Sequence, residues 1–126
     1  VELPVPGILE SPFGVFESKI FSYKKQKIEE KKYTKWFDYD KIKNSPCVRT
    51  RRQGDYLTVN SEGGRKKLNR IFIDEKIPAE MRDRIPVVAA GSEILWIPGG
   101  RMNEKYKITS TTGRVLELHY QGGVLS

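Results

Sequence analysis

Ile85-Pro86-Val87-Val88-Ala89-Ala90, then Gly91-Ser92, then Ile94-Leu95-Trp96-Ile97 reads as an apolar hairpin, closed by Pro98-Gly99-Gly100. Two strands apolar along their length must lie at the centre of a core, with other elements covering them. The flanking segments are what such a centre needs. Val15 to Tyr23 is rich in β-branched and aromatic residues and reads as a strand, entered from the turn Ser11-Pro12-Phe13-Gly14. The proline-interrupted Leu3 to Leu9 reads as an edge. Lys35 to Asp40 alternates aromatic and acidic residues and ends near the turn Asn44-Ser45-Pro46.

Further along, Cys47 to Thr50 and Tyr56 to Val59 read as a hairpin around the turn Arg52-Gln53-Gly54-Asp55. Ser61 to Gly64 breaks the strand, and a helix is expected from about Arg65 to Ile73 with Leu68, Ile71 and Phe72 as its buried stripe. Pro78 to Asp83 reads as a second short helix with proline at its first position. Tyr106 to Thr111, Thr112-Gly113 and Arg114 to Tyr120 read as a last hairpin, with Leu116, Leu118 and Tyr120 inward and Glu117 and His119 outward. The chain has no internal repeat. These elements predict a β-rich α+β domain with one or two short helices between strands.

The 126 residues suit one domain, taken as 1–126. One cysteine excludes an internal disulfide and a cysteine-built zinc site, and one histidine excludes His-rich metal chemistry. No run approaches the ~18 apolar residues of a membrane span, and no signal peptide opens the chain, so the expected compartment is the cytoplasm. A first residue other than methionine, Val1, suggests a domain cut from a longer protein.

Charge then narrows the function. From Arg49 to Arg70 there are seven bases (Arg49, Arg51, Arg52, Arg65, Lys66, Lys67, Arg70) against two acids (Asp55, Glu62), which leaves five of the chain's seven net positive charges in this segment. Like charges at that density persist most readily where an anionic partner neutralises them. In the expected hairpin Arg49 and Arg51 share one face, ~6.7 Å apart. On the expected helix Lys66 and Arg70 project away from the apolar stripe, with Lys67 beside them. Glycine at Gly63-Gly64, just before that helix, would let a phosphate approach the first-turn N–H groups. The Walker spacing itself is absent. Lys24 to Lys35, with six lysines, fits a loop or a short exposed helix.

No catalytic constellation is visible. His119 lies on the polar face of its strand, Cys47 has no histidine near it in sequence, and Asp38 with Asp40 lacks the further carboxylates a magnesium site uses. Asp55 after Gly54 reads as a turn or capping group that orders the arginines around it. Arg82-Asp83, just before Ile85-Pro86, reads as structural ion pairing rather than ligand contact.

Val48-Arg49-x-Arg51-Arg52-x-Gly54-Asp55, Gly64-x-x-Lys67-Leu68 and Ile77-Pro78-x-x-x-Arg82-Asp83-x-Ile85-Pro86, with Leu95-Trp96-Ile97-Pro98-Gly99, together resemble the C-terminal domain of tRNA(Ile)-lysidine synthetase. The resemblance implies a small antiparallel, barrel-like module. It also implies a parent ligase that uses ATP and magnesium to convert cytidine 34 of the minor isoleucine tRNA to lysidine. The parent's phosphate loop, Ser-Gly-Gly-x-Asp-Ser, is absent from these residues. The resemblance therefore implies a non-catalytic part that grips the tRNA acceptor stem beside its own N-terminal catalytic domain, with no cofactor of its own. Its RNA-binding residues would be Arg49, Arg51, Arg52, Gly64, Arg65, Lys66, Lys67 and Arg70. Gly54, Asp55, Arg82, Asp83 and Pro86 would be structural.

Two other readings stay open: a non-enzymatic module for structured RNA, and a stand-alone enzyme using Gly63-Gly64-Arg65-Lys66 as its phosphate site. A homodimer is also open. Cations on ordered elements suit the phosphates and shape of helical RNA, whereas single strands are usually read by exposed aromatics.

Overall fold

The central hairpin forms as its sequence requires. In the computed structural model, which describes residues 1–28 and 31–122, Val87–Ala90 and Glu93–Trp96 are antiparallel neighbours around Gly91-Ser92. In chain order the strands are β1 (Gly7–Ser11), β2 (Gly14–Ser22), β3 (Thr34–Asp38), β4 (Cys47–Arg49), β5 (Tyr56–Thr58), β6 (Arg65–Lys67), β7 (Val87–Ala90), β8 (Glu93–Trp96) and β9 (Arg114–Gly122). One α-helix, α1 (Leu68–Asp74), follows β6, and a 3₁₀ helix spans Ala79–Arg84. The domain is thus strand-rich with few short helices, as expected. Its strands form two open sheets, ordered β1-β2-β9-β3 and β4-β7-β8-β5-β6, and do not close into a barrel.

The centre of the second sheet, β7 and β8, is buried on both faces, which explains the unbroken apolar run of β7. Val48, Val88, Ala90, Leu95 and Trp96 meet Phe16, Phe37, Leu116 and Leu118 of the first sheet. On the opposite face Leu57, Val87, Ala89, Ile94 and Ile97 meet Leu68, Ile71 and Phe72 of α1. Adjacent Leu95 and Trp96 share one face because the β7–β8 register shifts between Val88 and Ala89. The bulge turns two consecutive side chains the same way. It also frees backbone carbonyls, and the fully buried Asn103 satisfies them. Its Nδ2 donates to the Ile94 carbonyl at 2.8 Å, and its backbone N–H donates to the Leu95 carbonyl at 2.8 Å.

Three sequence expectations are corrected. β4 and β5 are not a hairpin: β7 and β8 lie between them, and β5 meets β8 in parallel at Tyr56 and Glu93. The doubly apolar β7–β8 pair takes the centre, so the more polar strands are displaced to either side. Second, Arg65–Lys67 is strand, paired with β5, and the helix begins only at Leu68. Three consecutive cations at a helix start oppose the macrodipole, and Asn60 to Gly64 instead makes a hairpin turn, with the Val59 N–H donating to the Gly64 carbonyl at 2.8 Å. Third, Tyr106 lies in a 3₁₀ turn, Glu104–Tyr106, rather than in a strand, and β9 pairs with β2 and β3.

Asn103→Ala removes the donor to Ile94 and leaves a buried carbonyl unpaired. It should lower stability by roughly 1–3 kcal/mol, read as a lower urea midpoint with unchanged slope.

Candidate nucleic-acid interface

The charged segment resolves into three groups of cations. Arg49 turns inward, its side chain 7% exposed. Its Nη1 and Nη2 each donate to one oxygen of the Asp55 carboxylate, both at 2.8 Å, and also to the Thr50 carbonyl at 3.0 Å and the Gly91 carbonyl at 2.9 Å, respectively. Bonding to Asp55 raises the Arg49 pKa above its ordinary value. The same carboxylate accepts the Arg52 backbone N–H at 2.7 Å, and Gly54 supplies the positive φ, 89°, that closes this turn. Arg49 is therefore not in an outward pair with Arg51. Because β4 pairs with β7, its guanidinium points at the chain crossing rather than at solvent.

A second group braces the helix. Arg51 donates from Nε to Asp83 Oδ1 at 2.8 Å and from Nη1 to Asn69 Oδ1 at 2.9 Å, while Arg82 Nε donates to the Ile77 carbonyl at 3.0 Å. Lys66 is ion-paired with Asp74, and Arg70 meets the same carboxylate at 3.1 Å. The Lys66 hydrogen bond, then Arg70, lowers the Asp74 pKa below the carboxylate norm. Lys66 and Arg70 are thus not a mutually repelling pair on a bare helix face. Asp74 compensates both.

The expected phosphate cradle at a helix start is also absent. Gly64 lies in the β5–β6 turn, where Asn60 Oδ1 accepts the N–H groups of Glu62 at 3.1 Å and Gly64 at 2.9 Å. A Cβ at Gly64 would sit 2.6 Å from the Asn60 amide nitrogen, so glycine here admits Asn60, not a ligand. Pro86 is half-buried and leads into β7.

The third group faces outward. Arg65 and Lys67 alternate on one face of β6, with Tyr56 opposite Lys67 in register, and the Arg65 guanidinium carbon lies 4.7 Å from the Tyr56 ring centre. Arg52 joins them through Asp55, whose N–H donates to the Arg52 carbonyl at 3.3 Å and whose carbonyl accepts the Leu68 N–H at 2.9 Å. The side chains of Arg52 and Lys67 make no ion pair or hydrogen bond among the described residues, and both are exposed. Beside Tyr56, the Tyr106 hydroxyl donates to Glu93; burial, reinforced by Glu93, raises the Tyr106 pKa. Sequence reasoning missed Asn69, Asp74 and Asn103. Only Asp74 left a signal, four residues after Arg70 on the helix.

Of the remaining polar candidates, Asp38 is buried and accepts from Thr112 Oγ1 at 3.0 Å, and Asp40 pairs with Arg114. Among the described residues no three His, Cys, Asp or Glu side chains are grouped to hold a metal ion.

Asp55→Ala leaves Arg49 charged and buried without its partner, and should destabilise the fold by roughly 3–5 kcal/mol in thermal or urea unfolding. Asp74 has a lowered folded pKa. Its contribution is therefore present above the ordinary carboxylate value of ~3.9 and lost as pH falls through the lower folded value. Asp74→Asn should accordingly flatten the acid limb of a melting-temperature profile below about pH 4 while leaving the shape near pH 7 unchanged.

Residues 47–118 match the family described as the TilS substrate C-terminal domain. Proteins named tRNA(Ile)-lysidine synthase are similar. That of Caldanaerobacter subterraneus subsp. tengcongensis is 42% identical over 120 residues, 94% of this chain and 26% of the relative. That of Geobacillus kaustophilus is 38% identical over 123 residues, 95% of this chain and 26% of the relative. A solved structure, "Crystal structure of TILS C-terminal domain", aligns with a TM-score of 0.78 at 34% identity and covers 96% of this chain and 94% of that one. The chain spans about a quarter of the length of these curated relatives.

Proposed function

Because this chain belongs to the TilS substrate C-terminal domain family, we propose that it is the tRNA-gripping part of a tRNA(Ile)-lysidine synthase. In this reading the domain acts beside the parent's own N-terminal catalytic domain, in the cytoplasm, and engages the acceptor stem of tRNA(Ile). The parent converts cytidine 34 to lysidine with ATP and magnesium.

One observation carries the reading. Arg65 and Lys67 on the edge strand β6, and Arg52 in the turn that Asp55 ties to the start of α1, are exposed without a carboxylate to neutralise them, in a chain of net charge +7. Each is placed by backbone rather than by side-chain pairing: Arg65 and Lys67 by the β5–β6 ladder, Arg52 by the Asp55 turn. Phosphates on a double helix are equally fixed, so a rigid cation edge loses little entropy on meeting them. A-form RNA hides its base edges in a deep groove, which favours recognition by shape, phosphate and 2′-hydroxyl. Arg70 on α1 is 65% exposed beyond its contact with Asp74. Arg49 is buried and contributes by holding the edge, not by touching RNA. No helix among the described residues is long and apolar enough to cross a membrane.

Arg52→Ala with Lys67→Ala should leave the melting temperature within a degree or two, since neither side chain is paired. The slope of log K against log salt for an acceptor-stem minihelix should fall by about 0.7 to 0.9 per residue lost. In competition at moderate salt, the minihelix should displace whole tRNA(Ile) and an anticodon stem-loop of similar charge should compete far less. Equal competition by both would reduce the edge to generic electrostatics.

A further inference from the structure

The outer face of the first sheet carries a second constellation, on the other sheet from the cation edge. In register across β2, β9 and β3 lie two rows, Glu17–His119–Thr34 and Lys19–Glu117–Trp36. Thr34 Oγ1 and His119 Nδ1 are hydrogen-bonded at 2.7 Å, and Trp36 Nε1 donates to Glu117 Oε1 at 2.9 Å. Phe21 packs edge-on to Trp36, ring centres 5.0 Å apart at 74°. The indole is therefore fixed in orientation from two sides. Beside it opens a cleft of about 240 Å³ lined by Trp36, Thr34, Glu117, Lys27 and Lys31. Both lysines are exposed and belong to the lysine-rich stretch that the cation edge leaves unused.

An indole held in orientation and, lining the same cleft, two lysines, a hydroxyl and a carboxylate match one chemical object: a nucleotide. The base offers a π-face to the ring, its amino groups can donate to Glu117, and its phosphate meets the lysines. A protein partner held by apolar contact would need a cleft less charged than one lined by Lys27, Lys31, Thr34 and Glu117 beside the indole; a double helix has no free base face to offer. We propose that this cleft binds an unpaired RNA nucleotide, stacked on Trp36, and so reads a single-stranded extension of the helix held at the cation edge. This rests on the RNA-binding reading above and adds a separate site to it. Stacking is tolerant of base identity, because every base has a π-face, so the site would sense strandedness more than sequence.

Fluorescence gives a direct test. The chain has two tryptophans, and Trp96 is fully buried, so quenching by RNA reports Trp36. Titration with hexaadenylate RNA should quench the emission saturably, and inorganic phosphate at equal charge should not. In anisotropy assays an acceptor-stem minihelix with a four-nucleotide 3′ overhang should bind more tightly than its blunt counterpart. Trp36→Ala should abolish that advantage, a loss of at least about five-fold, and Trp36→Phe should restore much of it. Blunt-minihelix binding should be unchanged in both variants, with melting curves verifying the fold. An overhang advantage that survives Trp36→Ala, or hexaadenylate binding without quenching, would overturn the proposal. Loss of blunt binding on removing Arg52 and Lys67 tests the cation edge independently, so the two readings fail separately.

Discussion

The contact between Arg49 and Asp55 is the joint on which the rest of the second sheet depends. One carboxylate accepts both terminal nitrogens of a buried guanidinium and the Arg52 N–H, while the guanidinium reaches on to the carbonyls of Thr50 and Gly91. The end of β4, the turn at 52–55 and the β7–β8 turn are thereby tied at a single point. Through its backbone carbonyl Asp55 also accepts the first N–H of α1. A buried ion pair of this kind is weak evidence for net stability, because desolvation offsets much of the attraction. What it supplies here is position: the Asp55 carboxylate that holds Arg49 also holds the turn from which Arg52 projects.

The same principle sorts the cations. Those with carboxylate or carbonyl partners (Arg49, Arg51, Lys66, Arg70, Arg82) are compensated within the fold, and those without (Arg52, Lys67) carry the anion contact in the function proposed above. Arg65 is intermediate, since its guanidinium lies over Tyr56, which orders it without neutralising it. Charge density along the sequence therefore does not separate paired cations from unpaired ones. Much of it is internal wiring, with Asp55, Asp74 and Asp83 each answering one or two bases. Asp55 and Asp74 lie within six and four residues of Arg49 and Arg70, close enough to leave a signal in the sequence, whereas Asp83 is 32 residues from Arg51.

The two proposed RNA contacts differ in physics. The edge at Arg52, Arg65 and Lys67 uses charge, which is long-ranged, salt-sensitive and indifferent to sequence. The cleft at Trp36 uses a π-face held by Glu117 and Phe21, which acts only on contact and only on an unstacked base. Together they would distinguish a helix with a free end from a helix without one, which neither could do alone.

By itself the sequence determined the apolar β7–β8 centre, the long strand β2, the inward side of β9 and the Leu68-Ile71-Phe72 stripe. Local periodicity is enough to decide which side chains must leave water. It also exposed the excess of cations and the turn at Gly54-Asp55. It could not decide which strand lies beside which. Short strands such as Cys47–Arg49 and Arg65–Lys67 carry too few residues for a pattern, and their pairing is set by what the doubly buried hairpin leaves available. Nor could it tell Arg49 from Arg52, which are three residues apart and chemically identical. Only the tertiary structure turned one toward a buried carboxylate and the other toward solvent, because burial of a charge is decided by partners brought together from distant segments.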